Sequence, residues 1–96
     1  MGPINSIAEA YATREISRAL VDLVRSVQTE IQDDGEFLLV RIEKESPNSD
    51  VEVEQIIKTA ASVLERCIQS RSGDYAWMVN VEHRGSLLDS EVGGRK

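Results

Sequence analysis

Apolar side chains recur along the chain in two helical stripes, each followed by a turn and by an alternating segment. The first stripe consists of Ile16, Leu20, Leu23, Val24, Val27 and Ile31. The second consists of Val53, Ile56, Ile57, Ala60, Ala61, Leu64, Cys67 and Ile68. Steps of three and four residues place such a set on one face of a helix. The pattern therefore predicts two long amphipathic helices.

Each stripe ends at a turn and leads into a segment with the period of a strand. The turns at 33–35 and 72–74 each contain a Gly, which suits the left-handed residue that follows a helix. The segments 37–42 and 75–81 then read as strands, with side chains alternating between two faces. The predicted order is α-β-α-β, in a small α+β or α/β domain that spans residues 1–96.

Two strands alone do not make a satisfactory sheet. Because a helix of similar length connects them, we expect the two strands to be parallel. A two-stranded sheet leaves both edges unpaired and is rarely stable. Either a terminal segment, 2–7 or 85–92, adds a strand, or the sheet of a second chain completes it. We favour the second arrangement and expect a homodimer.

The first twelve residues have an apolar face of their own. At 100° per residue, Ile7 lies about 180° from Ile16, so 1–12 does not extend the first stripe. This segment is either a separate short helix or an extension of the first helix that shows its apolar face elsewhere. Residues 13–84 form the expected core, and 85–96 an expected, partly mobile tail.

Two apolar surfaces exceed what so small a domain needs to bury, and such surplus often marks a contact site. One lies on the N-terminal segment, and the other is one face of the second strand. The candidate residues for a dimer or partner surface are Ile7, Tyr11, Tyr75, Trp77, Val79 and Val81.

Charge and composition narrow the partners. The chain has 17 acidic and 11 basic residues, a net charge of −6, and nucleic acids and anionic membranes both require basic residues. We therefore expect neither direct nucleic-acid binding nor membrane binding. Cys67 is the only cysteine, which excludes an intrachain disulfide, and no stretch approaches ~18 continuous apolar residues. We expect a cytoplasmic protein.

The sequence offers little chemistry. His83, the only histidine, stands at the end of the second strand. The acidic turn around Asp33 lacks the recurring ligands of a calcium loop. Phosphate-binding loops, paired cysteines and nucleophile elbows do not occur. We expect no catalytic, cofactor or metal site, and no enzymatic activity.

Three functions remain open. The first is a small acidic interaction or regulatory module that acts by protein–protein contact as a homodimer, with a further protein partner of unknown identity. The second is an acidic inhibitor or nucleic-acid mimic that occupies a basic groove. The third is a small-molecule sensor with its ligand at the strand ends, near Glu43, Asp74 and His83. We prefer the first.

Overall fold

The computed structural model describes residues 6–33, 36–45, 50–66 and 76–94. The elements in chain order are α1 (Ser6–Ala19), β1 (Val24–Gln32), β2 (Phe37–Lys44), α2 (Asp50–Leu64), β3 (Ala76–His83) and β4 (Ser86–Gly94). The strands form one four-stranded sheet in the order β1-β2-β3-β4. The pairs β1–β2 and β3–β4 are antiparallel, whereas β2 and β3 are parallel and are connected through α2.

Both helices pack on one face of the sheet, and the core lies between these two layers. On that face β2 contributes Leu38, Val40 and Ile42, and their register partners on β3 are Trp77, Val79 and Val81. The helices contribute Ala12, Ile16, Leu20, Ile56, Ile57, Ala60, Val63 and Leu64. Complete burial of one large aliphatic side chain stabilises a fold by about 1.5–3 kcal/mol, so this layer holds the domain together.

The predicted first long helix is wrong in its second half. The helix α1 ends at Ala19, and residues 24–32 are the strand β1. Val27, Thr29 and Ile31 alternate with polar residues, which is strand periodicity in β-branched side chains. Pairing with β2 selects this reading over the helical one. The order is thus α-β-β-α-β-β, and the helices have 14 and 15 residues.

The turn predicted to end the first helix instead joins two strands. Asp33 has a positive φ of 54° after the end of β1, and the next described residue, Glu36, leads into β2. The rest of that turn, 34–35, lies outside the described residues, as do Cys67 and Ile68 of the second stripe.

The chain itself supplies the strands that complete the sheet. The parallel arrangement predicted for the two original strands is confirmed by β2 and β3. The strand β1 pairs with the free side of β2, and β4 pairs with the free side of β3. The segment 85–96, expected to be partly mobile, contains β4, and the alternative strand at 2–7 is not formed because α1 begins at Ser6.

The helices also bear on the membrane expectation, since α1 and α2 are both too short and too polar to span a lipid bilayer.

Candidate interaction surface

The face of the sheet opposite the two helices, called here the open face, is divided into an apolar half and a polar half. The register of the strands places the apolar half at the end where β2 and β3 begin. It consists of Phe37, Leu39, Ala76, Met78 and Val92. Met78 lies at its centre, between Leu39 and Val92. The first four side chains are partly exposed, and Val92 is 60% exposed.

The polar half of the open face follows along the same strands. It consists of Gln28, Arg41, Glu43, Asn80, Glu82 and Ser90. Arg41 donates two hydrogen bonds to Glu82, from Nε to Oε2 at 3.3 Å and from Nη2 to Oε1 at 3.2 Å. These hydrogen bonds, and then the negative charge of Glu82, raise the pKa of Arg41 above its usual value.

Glu43 and Glu82 are register partners, so two carboxylates stand side by side on the open face. Like charges in this arrangement destabilise a sheet unless each has its own partner. Glu82 accepts from Arg41, and Glu43 accepts the backbone N–H of Arg84 at 2.8 Å. The polar half is thus an ordered set of charge-assisted hydrogen bonds.

A small polar cleft runs across this half. Its volume is about 100 Å³, and its lining residues are Ser26, Gln28, Arg41, Ile42, Glu43 and Glu82. Pockets that bind small molecules are commonly ~300–1,000 Å³ and mainly apolar, so the cleft is poorly suited to hold one.

The turn between β3 and β4 has an unusual backbone. Arg84 and Gly85 form a two-residue loop with φ values of 52° and 83°. Positive φ at both positions gives the type I′ turn, whose twist matches a β-hairpin and which favours Asn, Asp or Gly at its first position. Arginine is strained there. The hydrogen bond from its N–H to Glu43 fixes this turn to the end of β2.

On the helix side of the sheet, the residue that ends β2 is a buried lysine. Lys44 is 1% exposed, and its Nζ lies 2.8 Å from Oε1 of Glu52 in the first turn of α2. Nδ1 of His83 lies 3.1 Å from the backbone oxygen of Lys44. Because that oxygen can only accept, Nδ1 is the donor. The histidine therefore has a structural partner at the strand end.

The proposed sensor site is not assembled by the described residues. Glu43 lies on the open face, whereas His83, one position beyond Glu82 on β3, alternates to the helix side. Asp74 lies outside the described residues. Within the described ranges, His, Cys, Asp and Glu side chains nowhere form a group of three that could hold a metal ion.

The six residues predicted to form a contact surface fall into three groups. Ile7 and Tyr11 are exposed on α1, by 77% and 52%. Trp77, Val79 and Val81 are at most 2% exposed, because α1 and α2 cover their face of the sheet, so they are core residues and cannot form a surface. Tyr75 lies outside the described residues.

Sequence reasoning missed the surface on the other side of the same strands. The signal was present at Phe37 and Leu39, which alternate with the core residues of β2 and give that strand two apolar faces. A strand with helices on one side only leaves its second apolar face for another contact. Val92 was missed because it stands in a segment that was expected to be mobile.

The strand β4 forms an exposed edge beside this open face. Every residue from Ser86 to Val92 is exposed. The backbone N–H of Ser90 donates to Oδ1 of the neighbouring Asp89 at 2.8 Å. On the helix side, the indole of Trp77 lies over Gly93, where a Cβ atom would come within 2.7 Å of Cη2. Trp77 Nε1 is buried and has no hydrogen-bond partner among the described residues.

Comparison of the chain with protein-family models, with curated proteins and with solved structures found no match. The argument for function therefore rests on the geometry of the open face and of the β4 edge.

Proposed function

We propose that the protein is a small, non-enzymatic interaction module that acts by protein–protein contact and is itself a homodimer. The observation that carries this proposal is the apolar half of the open face, from Phe37 to Val92. Two apolar sheet faces can pack about 10 Å apart with interdigitated side chains. A second copy of the same face is a chemically matched occupant.

The arrangement of the open face has the anatomy of an interface. Protein contacts commonly have an apolar centre and a polar rim that stays hydrated. Here Met78 is surrounded by apolar neighbours, and the rim on one side is the polar half, with the Arg41–Glu82 pair. A two-fold axis through the apolar half would place the same residues of both copies in contact, as symmetric dimers require.

The other two functions have less support. A nucleic-acid mimic needs a stripe of free carboxylates, whereas Glu82 and Glu43 on the open face have hydrogen-bond donors of their own. A sensor at the strand ends needs convergent polar groups, whereas Glu43 and His83 lie on opposite sides of the sheet. We do not pursue either.

Substitution at the centre of the apolar half tests the proposal. Met78→Glu would place a charge in the dimer interface, and Asn80→Glu would place the same charge on the same strand and face, but in the polar half. We expect a dimeric wild-type chain, a monomeric Met78→Glu variant and a dimeric Asn80→Glu variant. Analytical ultracentrifugation measures the mass, and circular dichroism verifies that each variant is folded.

Two results would contradict the proposal. A wild-type chain that remains monomeric across the micromolar range would exclude the homodimer. A dimer that survives Met78→Glu but is dissociated by Ile7→Glu would move the interface to the exposed face of α1 around Ile7 and Tyr11.

A further inference from the structure

We propose that the outer edge of β4 binds an extended segment of a partner protein in which basic and apolar residues alternate. The segment would add a fifth strand to the sheet. This contact uses an edge, whereas the proposed dimer uses a face, so the two can be tested separately.

The backbone at this edge is available for pairing. The N–H of Ser90 is bonded to the side chain of Asp89, so it is not used in the ladder with β3 and is directed outward. Orientation repeats every second residue in an antiparallel pair, so Val92 has its N–H and C=O directed outward as well. An unpaired row of this kind is a template for another strand.

The side chains of β4 specify the composition of that strand. On the helix side, Asp89 and Glu91 stand next to Val81 and Val79 and are exposed. On the open face, Val92 is 60% exposed beside Met78. Directly opposite side chains of neighbouring strands share a face and interact. An incoming strand is therefore favoured when basic residues face the two acids and apolar residues face Val92.

The same charges disfavour a second copy of this chain at the edge. In a symmetric antiparallel pairing of two β4 strands centred on Ser90, Asp89 of one copy would stand opposite Glu91 of the other. Both contacts of this type would join like charges, which destabilise a sheet pair. Asp89 also occupies the outward N–H of Ser90. A basic partner removes both obstacles because it offers Asp89 a cation in exchange for the N–H.

The probe for this site is a short fluorescent peptide in which Lys and Val alternate, and fluorescence anisotropy measures its binding. The comparison peptides are an alternating Glu and Val peptide and a peptide with all its Lys residues before all its Val residues. We expect the alternating Lys and Val peptide to bind about tenfold more tightly than either, with an affinity that falls as salt rises.

Two variants locate the binding on β4. Ser90→Pro removes an outward N–H and leaves the ladder with β3 intact, so we expect binding to be lost, whereas Ser90→Ala should bind like the wild type. The double variant Asp89→Lys with Glu91→Lys leaves the backbone unchanged. We expect it to prefer the Glu and Val peptide. Amide NMR shifts on peptide addition should concentrate at 86–92.

Equal binding of the alternating and the block peptide, or shifts concentrated outside β4, would overturn the proposal. Should Ser90→Pro prove unfolded by circular dichroism, an unchanged peptide preference in the folded double variant would overturn it equally. The monomeric Met78→Glu variant separates this inference from the proposed homodimer, because its β4 edge should still bind the Lys and Val peptide.

Discussion

The two edge strands of this sheet, β1 and β4, are held in the fold by different means. The hydroxyl of Thr29 on β1 donates to Oε2 of Glu9 on α1 at 2.7 Å, and the hydroxyl of Thr13 lies 3.1 Å from it. The strand β4 is held by a tight turn and by the ring of Trp77 over Gly93. Polar side chains thus tie one edge to a helix, whereas a single aromatic contact secures the other.

This difference decides which edge can serve as a contact. The inner face of β1 is half buried against α1 through Val27, Thr29 and Ile31. The strand β4 keeps all residues from Ser86 to Val92 exposed. An edge that the rest of the chain has covered contributes to stability, whereas an exposed edge must either be protected or be used.

Gly93→Ala should give the largest effect, because it removes the contact that holds β4. The added Cβ would stand within 2.8 Å of Cε2 of Trp77, and this ring is buried in the core and cannot move freely. We expect a loss of about 2–3 kcal/mol in the free energy of unfolding, as for other overpacked cores. Urea denaturation followed by tryptophan fluorescence measures it.

A second alanine on the same strand provides the control. Ser90→Ala is on the open face and exposed, so its stability should stay within about 0.5 kcal/mol of the wild type. If the two variants were equally stable, the packing of Trp77 over Gly93 would not be what secures β4.

Thr29→Val should weaken β1 through its polar tie to α1. The variant keeps the shape of the side chain but removes the donor to Glu9 and the neighbour of Thr13. We expect a loss of about 1 kcal/mol in the free energy of unfolding, since these bonds are only partly buried. Thr29→Ser keeps the hydroxyl and should lose less. A larger loss in Thr29→Ser would show that the methyl group, and not the hydrogen bond, holds this edge.

Arg84→Gly should stabilise the hairpin that carries β4. Glycine adopts the positive φ of 52° without the steric penalty that a side chain incurs, and it keeps the N–H that binds Glu43. We expect a gain of about 0.5–1 kcal/mol in the free energy of unfolding, reduced by the greater freedom of glycine in the unfolded chain. Thermal unfolding measures the change, and a lower midpoint would show that the Arg84 side chain contributes more than its strain costs.

The same contrast explains how far the sequence could predict the fold. The strands β2 and β3 and the helix between them each support one period only, and their parallel pairing followed from connection length. The segment 20–32 supports two periods, because Val24, Val27 and Ile31 fit a helix while Val27, Thr29 and Ile31 fit a strand. Pairing with β2, a tertiary contact, decides between them, and local periodicity contains no record of it.

The candidate surface was only partly predictable for a related reason. Trp77, Val79 and Val81 form an apolar row, and such a row describes a core and an interface equally well until the helices are placed. Phe37 was visible as a second apolar face of β2. The role of Asp89 at the edge was not visible, because it depends on which side of β4 remains unpaired.

Asp89→Ser should change stability least and yet reveal most clearly how the free edge is protected. The variant removes a charge and the oxygen that occupies the N–H of Ser90, and it leaves the ladder with β3 intact. We expect the free energy of unfolding to stay within about 0.5 kcal/mol of the wild type, while association of folded chains through β4 increases. Static light scattering over a concentration series measures that association, and Glu30→Ser, on the open face of β1, removes a charge from the other edge strand as the control. Equal association in the two variants would mean that net charge keeps the chains apart. Association of Asp89→Ser alone, removed again by adding Ser90→Pro, would locate the protection at the outward N–H of β4.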